Sequence, residues 1–251
     1  MDFTVKTYKL LLKSLVNENY TFQTYQEFIL NPAEKCIILR HDVDLLPQNS
    51  LVFAKIQSDL GIKGVYYFRA VPESWDEEII KEISALGHEI GFHYESLTTC
   101  NGDIALAIQD FEKNLNELRN LAPVVTICMH GSPMSKFDSK DMWKNFSYTK
   151  FGVIAEPYFD TDFSKVMYLT DTGRRWNGEK VSVRDKVSSN LKIDVRSTFE
   201  LIFEIEKGKL SEQVMFTFHP QRWNDSWFLW TKEYVLQNIK NLIKRMIYVK
   251  K

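Results

Sequence analysis

An α/β fold, an irregular (β/α) barrel of about seven strands, is what the sequence predicts, on three observations. Short apolar runs alternate with amphipathic segments along most of the chain. Four of the five histidines stand where an apolar run ends. No Pro/Gly/Ser-rich linker, repeat or low-complexity tract divides the 251 residues, so a single domain over 1–251 is expected. α/β barrels often reach roughly 250 residues as one unit.

Tyr8, Leu11, Leu12, Leu15 and Val16 recur at helical spacing, which opens the chain with an amphipathic helix. Cys36 to Leu39 is a buried strand, ending in Arg40-His41-Asp42-Val43-Asp44. Residues 47–60 are helical, and 64–68 form the next strand. Ser74 and Glu77 have the spacing of a capping box before Ile79, Ile80 and Ile83, with Gly87 as the stop. Glu89 to His93 is a third strand, and Ile108, Phe111, Leu115 and Leu118 mark another helix. Val124 to Met129 is a fourth strand, ending at His130. Residues 152–155, 166–170, Ile193 with Val195, and 214–218 supply further strands before a closing helix over 232–249. Alternating strands and helices require parallel pairing with crossovers. An open doubly wound sheet fits the same periodicity, but no Gly-rich phosphate loop follows the first strand.

A hydrophobic content of 44% is enough for a large core, and a net charge of −1 predicts no long-range attraction to nucleic acid or anionic membrane. The basic run from Lys240 to Lys251 alternates with Leu242, Ile243, Met246 and Ile247, as on the solvated face of a helix. Cys36, Cys100 and Cys128 are odd in number and far apart, which argues against a disulfide framework or a thiolate zinc site. Lys6, Lys9 and Lys13 interrupt the start, and no stretch has the ~18 apolar residues of a membrane span. A cytoplasmic protein is expected.

The polar chemistry gathers at strand ends. His41, His93, His130 and His219 each close an apolar run, whereas His88 begins one. Sites of barrel enzymes are built at the C-terminal ends of their strands. Asp42 and Asp44, one residue apart, would repel unless a cation, a shared proton or a turn relieves them. Imidazole with carboxylate is a common catalytic ligand set, which His93 suits, with a satisfied core histidine as the alternative. His219 lies in Phe218-His219-Pro220-Gln221-Arg222-Trp223, a setting for a general acid or for packing. His130, before Gly131-Ser132-Pro133, fits a ligand, an oxyanion donor or a turn. Asp171-Thr172-Gly173-Arg174-Arg175-Trp176 offers either an Asp–Arg pair that holds a catalytic group or a surface ion pair.

At these residues, from about Cys36 to Trp223, the chain resembles a divergent branch of the polysaccharide deacetylase superfamily, the NodB-homology or carbohydrate esterase family 4 group. The resemblance implies a distorted barrel and removal of an acyl group, usually acetyl, from an N-acylated sugar. Leu39 to Asp44 is similar to the first family motif. Asp42 then matches the general base, and Asp44 takes the metal-ligand role because Val43 fills the usual slot. Gly87 to His93 is similar to the second motif, with His93 as its first metal ligand, but the second ligand position is Leu97. The third motif has lost its Arg, and His130 or Glu95 is left to complete the ligand set. Asp171 and Trp176 resemble the fourth motif, with Arg174 or Arg175 in place of the lost Arg, and His219 matches the general acid of the fifth.

The resemblance therefore implies a divalent cation, Zn²⁺ or alternatively Co²⁺, Ni²⁺ or Mn²⁺, on Asp44, His93 and His130. Asp42, His219 and Asp171 would carry the proton chemistry. Arg40, Trp176, Trp223 and Tyr94 are expected to face a carbohydrate substrate, although the aromatics, Phe218 included, fit a core equally well. With a cytoplasmic location, a nucleotide- or lipid-linked precursor is the expected substrate. A small non-sugar amide is the rival substrate. A barrel that binds glycan without turning it over is the rival function, and Leu97 favours it.

Overall fold

The computed structural model of the chain describes residues 1–132, 135–177 and 187–247, and of the last four it describes the backbone only. Seven strands alternate with helices among these residues. The strands are β1 (Thr21–Gln23), β2 (Cys36–Val43), β3 (Val65–Phe68), β4 (Glu89–Tyr94), β5 (Ile127–Met129), β6 (Val166–Thr170) and β7 (Gln213–Phe218). The helices are α1 (Val5–Asn17), α2 (Tyr25–Leu30), α3 (Pro47–Asp59), α4 (Glu77–Ala85), α5 (Ser96–Thr99), α6 (Ile104–Arg119), α7 (Pro157–Asp160), α8 (Thr198–Glu206) and α9 (Trp227–Ile247). All pairings are parallel in the order β5-β4-β3-β2-β7-β6, and β1 pairs with the first half of β2. The sheet curls into a half-barrel. Among the described residues no ladder joins β5 to β6, and beyond β5 a lone parallel bridge links Thr126 to Ala155. No described helix is long and apolar enough to cross a membrane.

The pleat divides the strands into two faces. Ile37, Leu39 and Val43 of β2 belong to the larger apolar cluster under α1, α3 and α4. Cys36 and Ile38 belong to a second cluster with Tyr67, Cys128, Val166 and Met215, residues from four other strands, which is the barrel interior. Gly91 is needed there, because a Cβ on it would overlap the Tyr67 ring.

Several local expectations are corrected. The N-cap of α4 is Asp76, which accepts from the Ile79 amide, so Ser74 and Glu77 form no capping box. Ser74 instead donates to the Val43 carbonyl and accepts from the Arg69 amide. Val124 to Thr126 lie outside β5, residues 152–155 contribute only the bridge at Ala155, and Ile193 with Val195 lie in irregular chain. The closing helix starts earlier, at Trp227. It docks through Trp230, Gln237 and Asn241, while Phe228, Val235, Ile239 and Leu242 are exposed. The far end of the basic run, 248–251, and Pro133 lie outside the described residues.

His41 is the largest departure. It points away from the barrel interior, stacked on Tyr66 with ring centroids 4.1 Å apart. Its Nδ1 lies 3.0 Å from the Val65 carbonyl, and its Nε2 lies 3.2 Å from the Tyr8 hydroxyl and 2.9 Å from the Gln57 amide nitrogen. Burial pushes its pKa down to about 3 from 6.5. His88 is likewise structural, with Nδ1 accepting from the Gly64 amide and Nε2 facing the Ala54 carbonyl.

A buried neutral His41 makes the fold acid-sensitive. Below its ordinary pKa of 6.5 only the unfolded chain takes up the proton, so stability present above that pH drains away as pH falls toward 3. The loss is about 1.4 kcal/mol per pH unit. In paired urea titrations, the stability of the parent minus that of His41→Asn should therefore shrink by ~2 kcal/mol as pH falls from about 6.5 to about 5. A pH-independent difference would show that His41 is not held neutral.

Candidate metal and hydrolytic site

Because Cys36 and Ile38 face the interior, so do Arg40 and Asp42 in the same strand. Both are buried and form a two-point ion pair, Arg40 Nε to Asp42 Oδ1 at 2.8 Å and Nη2 to Oδ2 at 2.7 Å. Arg40 is thus spent on Asp42 rather than presented to a substrate. It is also covered by the Tyr158 ring, 5.1 Å from its guanidinium carbon. Asp44 follows in the turn after β2, its amide donating to the Asp42 carbonyl at 3.1 Å.

Three side chains from three elements converge at this end of the sheet. His93 Nε2 lies 3.7 Å from Asp44 Oδ1, and His130 Nε2 lies 3.5 Å from the same oxygen. The ligand-capable atoms of Asp44, His93 and His130 all fall within 4.8 Å of one another. Each imidazole is oriented from behind. His93 Nδ1 is 2.9 Å from the Cys128 carbonyl, and His130 Nδ1 is 2.9 Å from Glu95 Oε2. A carbonyl can only accept, so His93 carries its proton on Nδ1 and turns the Nε2 lone pair toward Asp44. Burial first, then the neighbouring His130, pushes the His93 pKa well below the ordinary histidine value.

A neutral nitrogen lone pair and a carboxylate oxygen facing one another repel unless a proton or cation stands between them. Asp44 Oδ1 is buried with no hydrogen-bond partner, so a cation would fit there. Two imidazoles and one carboxylate, with an open side, suit Zn²⁺ and related divalent ions. Asp42, His93 and Cys128 form a second possible set. It is the poorer one, because the Arg40 guanidinium paired with Asp42 would repel a cation held there.

Both Glu95 oxygens are engaged by neighbouring side chains. Arg69 donates to its Oε1 from Nε at 2.9 Å and Nη2 at 2.6 Å, and Ser132 donates to its Oε2 at 3.2 Å. Despite burial, which pushes it up, His130 and Arg69 pull the Glu95 carboxyl down to about 2. Leu97 lies buried in α5 within the apolar core.

On the other flank, His219 Nδ1 is 2.6 Å from Asp171 Oδ1, and its Nε2 is 3.9 Å from Asp44 Oδ2. Asp171 Oδ2 accepts from the His219 amide at 2.9 Å and the Trp223 indole at 2.7 Å. Burial and Arg222 push the His219 pKa down, but Asp171 and Asp44 outweigh them and leave it raised. Burial pushes Asp171 up, and His219 with Arg222 more than reverses it. The arginine that pairs with Asp171 is Arg222, at 3.0 Å, rather than Arg174 or Arg175. Arg175 donates to Asn177, and Arg174 lies against Trp230.

The expected sugar-facing aromatics are corrected. Tyr94, Trp176 and Trp223 are 0%, 3% and 1% exposed, and Phe218 is equally buried, so none offers a stacking face. Trp176 packs on Phe216 and Phe218, Tyr94 on Phe111 and Trp143, and Trp223 serves Asp171. Sequence reasoning missed Arg222 and the bracing roles of Glu95, Arg69 and Gln221. Arg222, three residues after His219 in a Pro-containing turn, is the one with a local signal.

Arg40→Leu should destabilise the chain by about 3–5 kcal/mol in urea unfolding, because it strands Asp42 as an unpaired buried charge. Arg40→Leu with Asp42→Leu should recover most of that loss. Equal losses in both would mean that the pair does not act as a unit.

No family model matches the chain, and no curated protein matches its sequence. Among solved structures it is similar to a CE4 family pseudoenzyme from Bacillus anthracis, at 11% identity over 85% of this chain and 63% of that one, with a TM-score of 0.42. The chain thus spans less than two thirds of that protein. A mutant of the pseudoenzyme with restored enzymatic activity aligns at 11% identity over 85% and 65%, with a TM-score of 0.41. The Xyl-CE4 domain of a multidomain xylanase from the hindgut metagenome of Trinervitermes trinervoides aligns at 13% identity over 85% of both chains, with a TM-score of 0.41.

Proposed function

We propose that this chain is a metal-dependent hydrolase that removes an N-acyl group, acetyl in the simplest case, from a sugar or surface-polysaccharide precursor. The observation that carries the hydrolytic part is the convergence of Asp44, His93 and His130 between a clamped carboxylate and a braced imidazole. The N-acylated sugar rests on the motif order that the sequence shares with the polysaccharide deacetylases.

Asp44, His93 and His130 would hold the cation. Such an ion supplies acidification of water and polarisation of the acyl carbonyl. Asp42, whose Oδ2 lies 3.7 Å from His93 Nε2, takes the water's proton as general base. Arg40 fixes the direction in which that carboxylate points. His219, with Nδ1 turned to Asp171, presents Nε2 toward Asp44 and protonates the leaving amine. Its raised pKa suits an acid, which must carry the proton before it delivers it. The burial of the four aromatics favours a second reading, a small non-sugar amide that needs no stacking platform.

Elemental analysis of protein purified without chelator or a His tag should find close to one divalent ion per chain, lost in His93→Ala and His130→Ala. Glu95→Gln should keep the site but bind the ion about 10–100-fold more weakly, since it loosens His130 without removing a ligand. No metal in the parent after soaking in Zn²⁺ or Co²⁺ would sink the mechanism and leave glycan binding without turnover. Asp42→Asn should abolish hydrolysis of N-acetyl sugars while retaining the ion. Hydrolysis confined to small amides would move the second reading to first place.

A further inference from the structure

A second polar cavity lies between α9 and the turn after β6, outside the site described above. Its volume is about 280 Å³, and Arg174, Arg175, Arg196, Tyr234, Asn238 and Asn241 supply its polar lining. Three arginines and two amides thus border it, and none of the described lining residues is acidic.

Arg174 is held there at a cost. Its backbone sits in the left-handed region at φ 55°, which L-residues other than Asn and Asp seldom adopt. Its guanidinium lies over Trp230 at 4.6 Å, Phe3 at 5.4 Å and Tyr234 at 5.7 Å, and Nη1 donates to the Trp230 carbonyl at 3.3 Å. Nε and Nη2 are buried without a hydrogen-bond partner. Burial lowers its pKa, and Glu233, Asp2 and Asp171 do not restore it. An under-compensated positive charge therefore stands behind the cavity wall. Arg196, exposed at the rim with the Glu200 carboxylate near it, adds a second positive charge. Asn241 ties the two walls together by donating to the Gly173 carbonyl at 3.0 Å.

We propose that this cavity binds a phosphoryl group, with Arg196 as the accessible fork and Arg174 as the fixed charge behind it. Guanidinium groups match phosphate oxygens in geometry and charge. Leu242 of α9 lines the cavity, and Ile239 and Val235 of the same helix are exposed, which allows two sources for that group, a soluble phosphate ester or the headgroup of a lipid. The site stands whether or not the barrel is a hydrolase.

The test is titration calorimetry of the full chain with inorganic phosphate at constant ionic strength, beside co-sedimentation with phosphatidylcholine vesicles with and without phosphatidic acid. Saturable phosphate binding in the parent, weakened about tenfold or more in Arg196→Gln, supports a soluble ligand. Binding only to the phosphatidic acid vesicles, lost in Arg196→Gln, supports the lipid source. Arg174→Gln removes the fixed charge, and it should weaken whichever binding is found. Circular dichroism checks that each variant is folded. No binding to either probe, or equal binding in the parent and both variants, overturns the proposal.

Discussion

Successive side chains of a strand point to opposite faces, and that alternation in β2 sets what the rest of the site can be. Cys36, Ile38, Arg40 and Asp42 face inward, while Ile37, Leu39, His41 and Val43 face the helices. Arg40 and Asp42 therefore meet two residues apart on one face and form a pair that the barrel interior would not tolerate half-made. His41, flanked by both, is carried into the outer core. The same pleat in β4 turns His93 inward and Tyr94 outward, so one residue joins the site and the next packs on Phe111 and Trp143.

Around that frame the site is oriented by contacts behind it. Each imidazole is held at Nδ1, by the Cys128 carbonyl, Glu95 or Asp171, so that each Nε2 faces Asp44. Asp44 sits in a turn, where it is free of the pleat and can serve both flanks: Oδ1 toward His93 and His130, Oδ2 toward His219 and the Gln221 amide. The two flanks differ electrostatically. His93 is held neutral by burial, whereas His219 is kept protonated more readily by Asp171.

The curled parallel sheet is legible in the sequence because apolar runs alternate with helical periodicity over most of the length. The positions of Asp42, Asp44, His93, His130 and His219 at strand ends are legible for the same reason. Which of them share a face is partly readable too, since parity along Cys36 to Val43 by itself separates His41 from Asp42. The short β5 is not readable, because Val124 and Val125 carry strand propensity but precede the ladder. Nor are the aromatics. Trp176 lies near Asp171 in sequence and Trp223 near His219, and only packing shows that one is core and the other donates to Asp171. Closeness along the chain points to Arg174 and Arg175 as partners of Asp171, whereas Arg222 reaches it from another strand end.

The burial of Leu97 has a consequence for how the pocket is wired into the sheet. A ligand four residues beyond His93 would have kept two donors on one short stretch of chain. With Leu97 in the core, a second imidazole nitrogen would have to come from His130, beyond β5, the strand at the sheet's open end. Donors would then come from the ends of β2, β4 and β5, across a span of three strand spacings. A cation gripped by all three would act as a rivet, tying the free margin of the curled sheet to its centre.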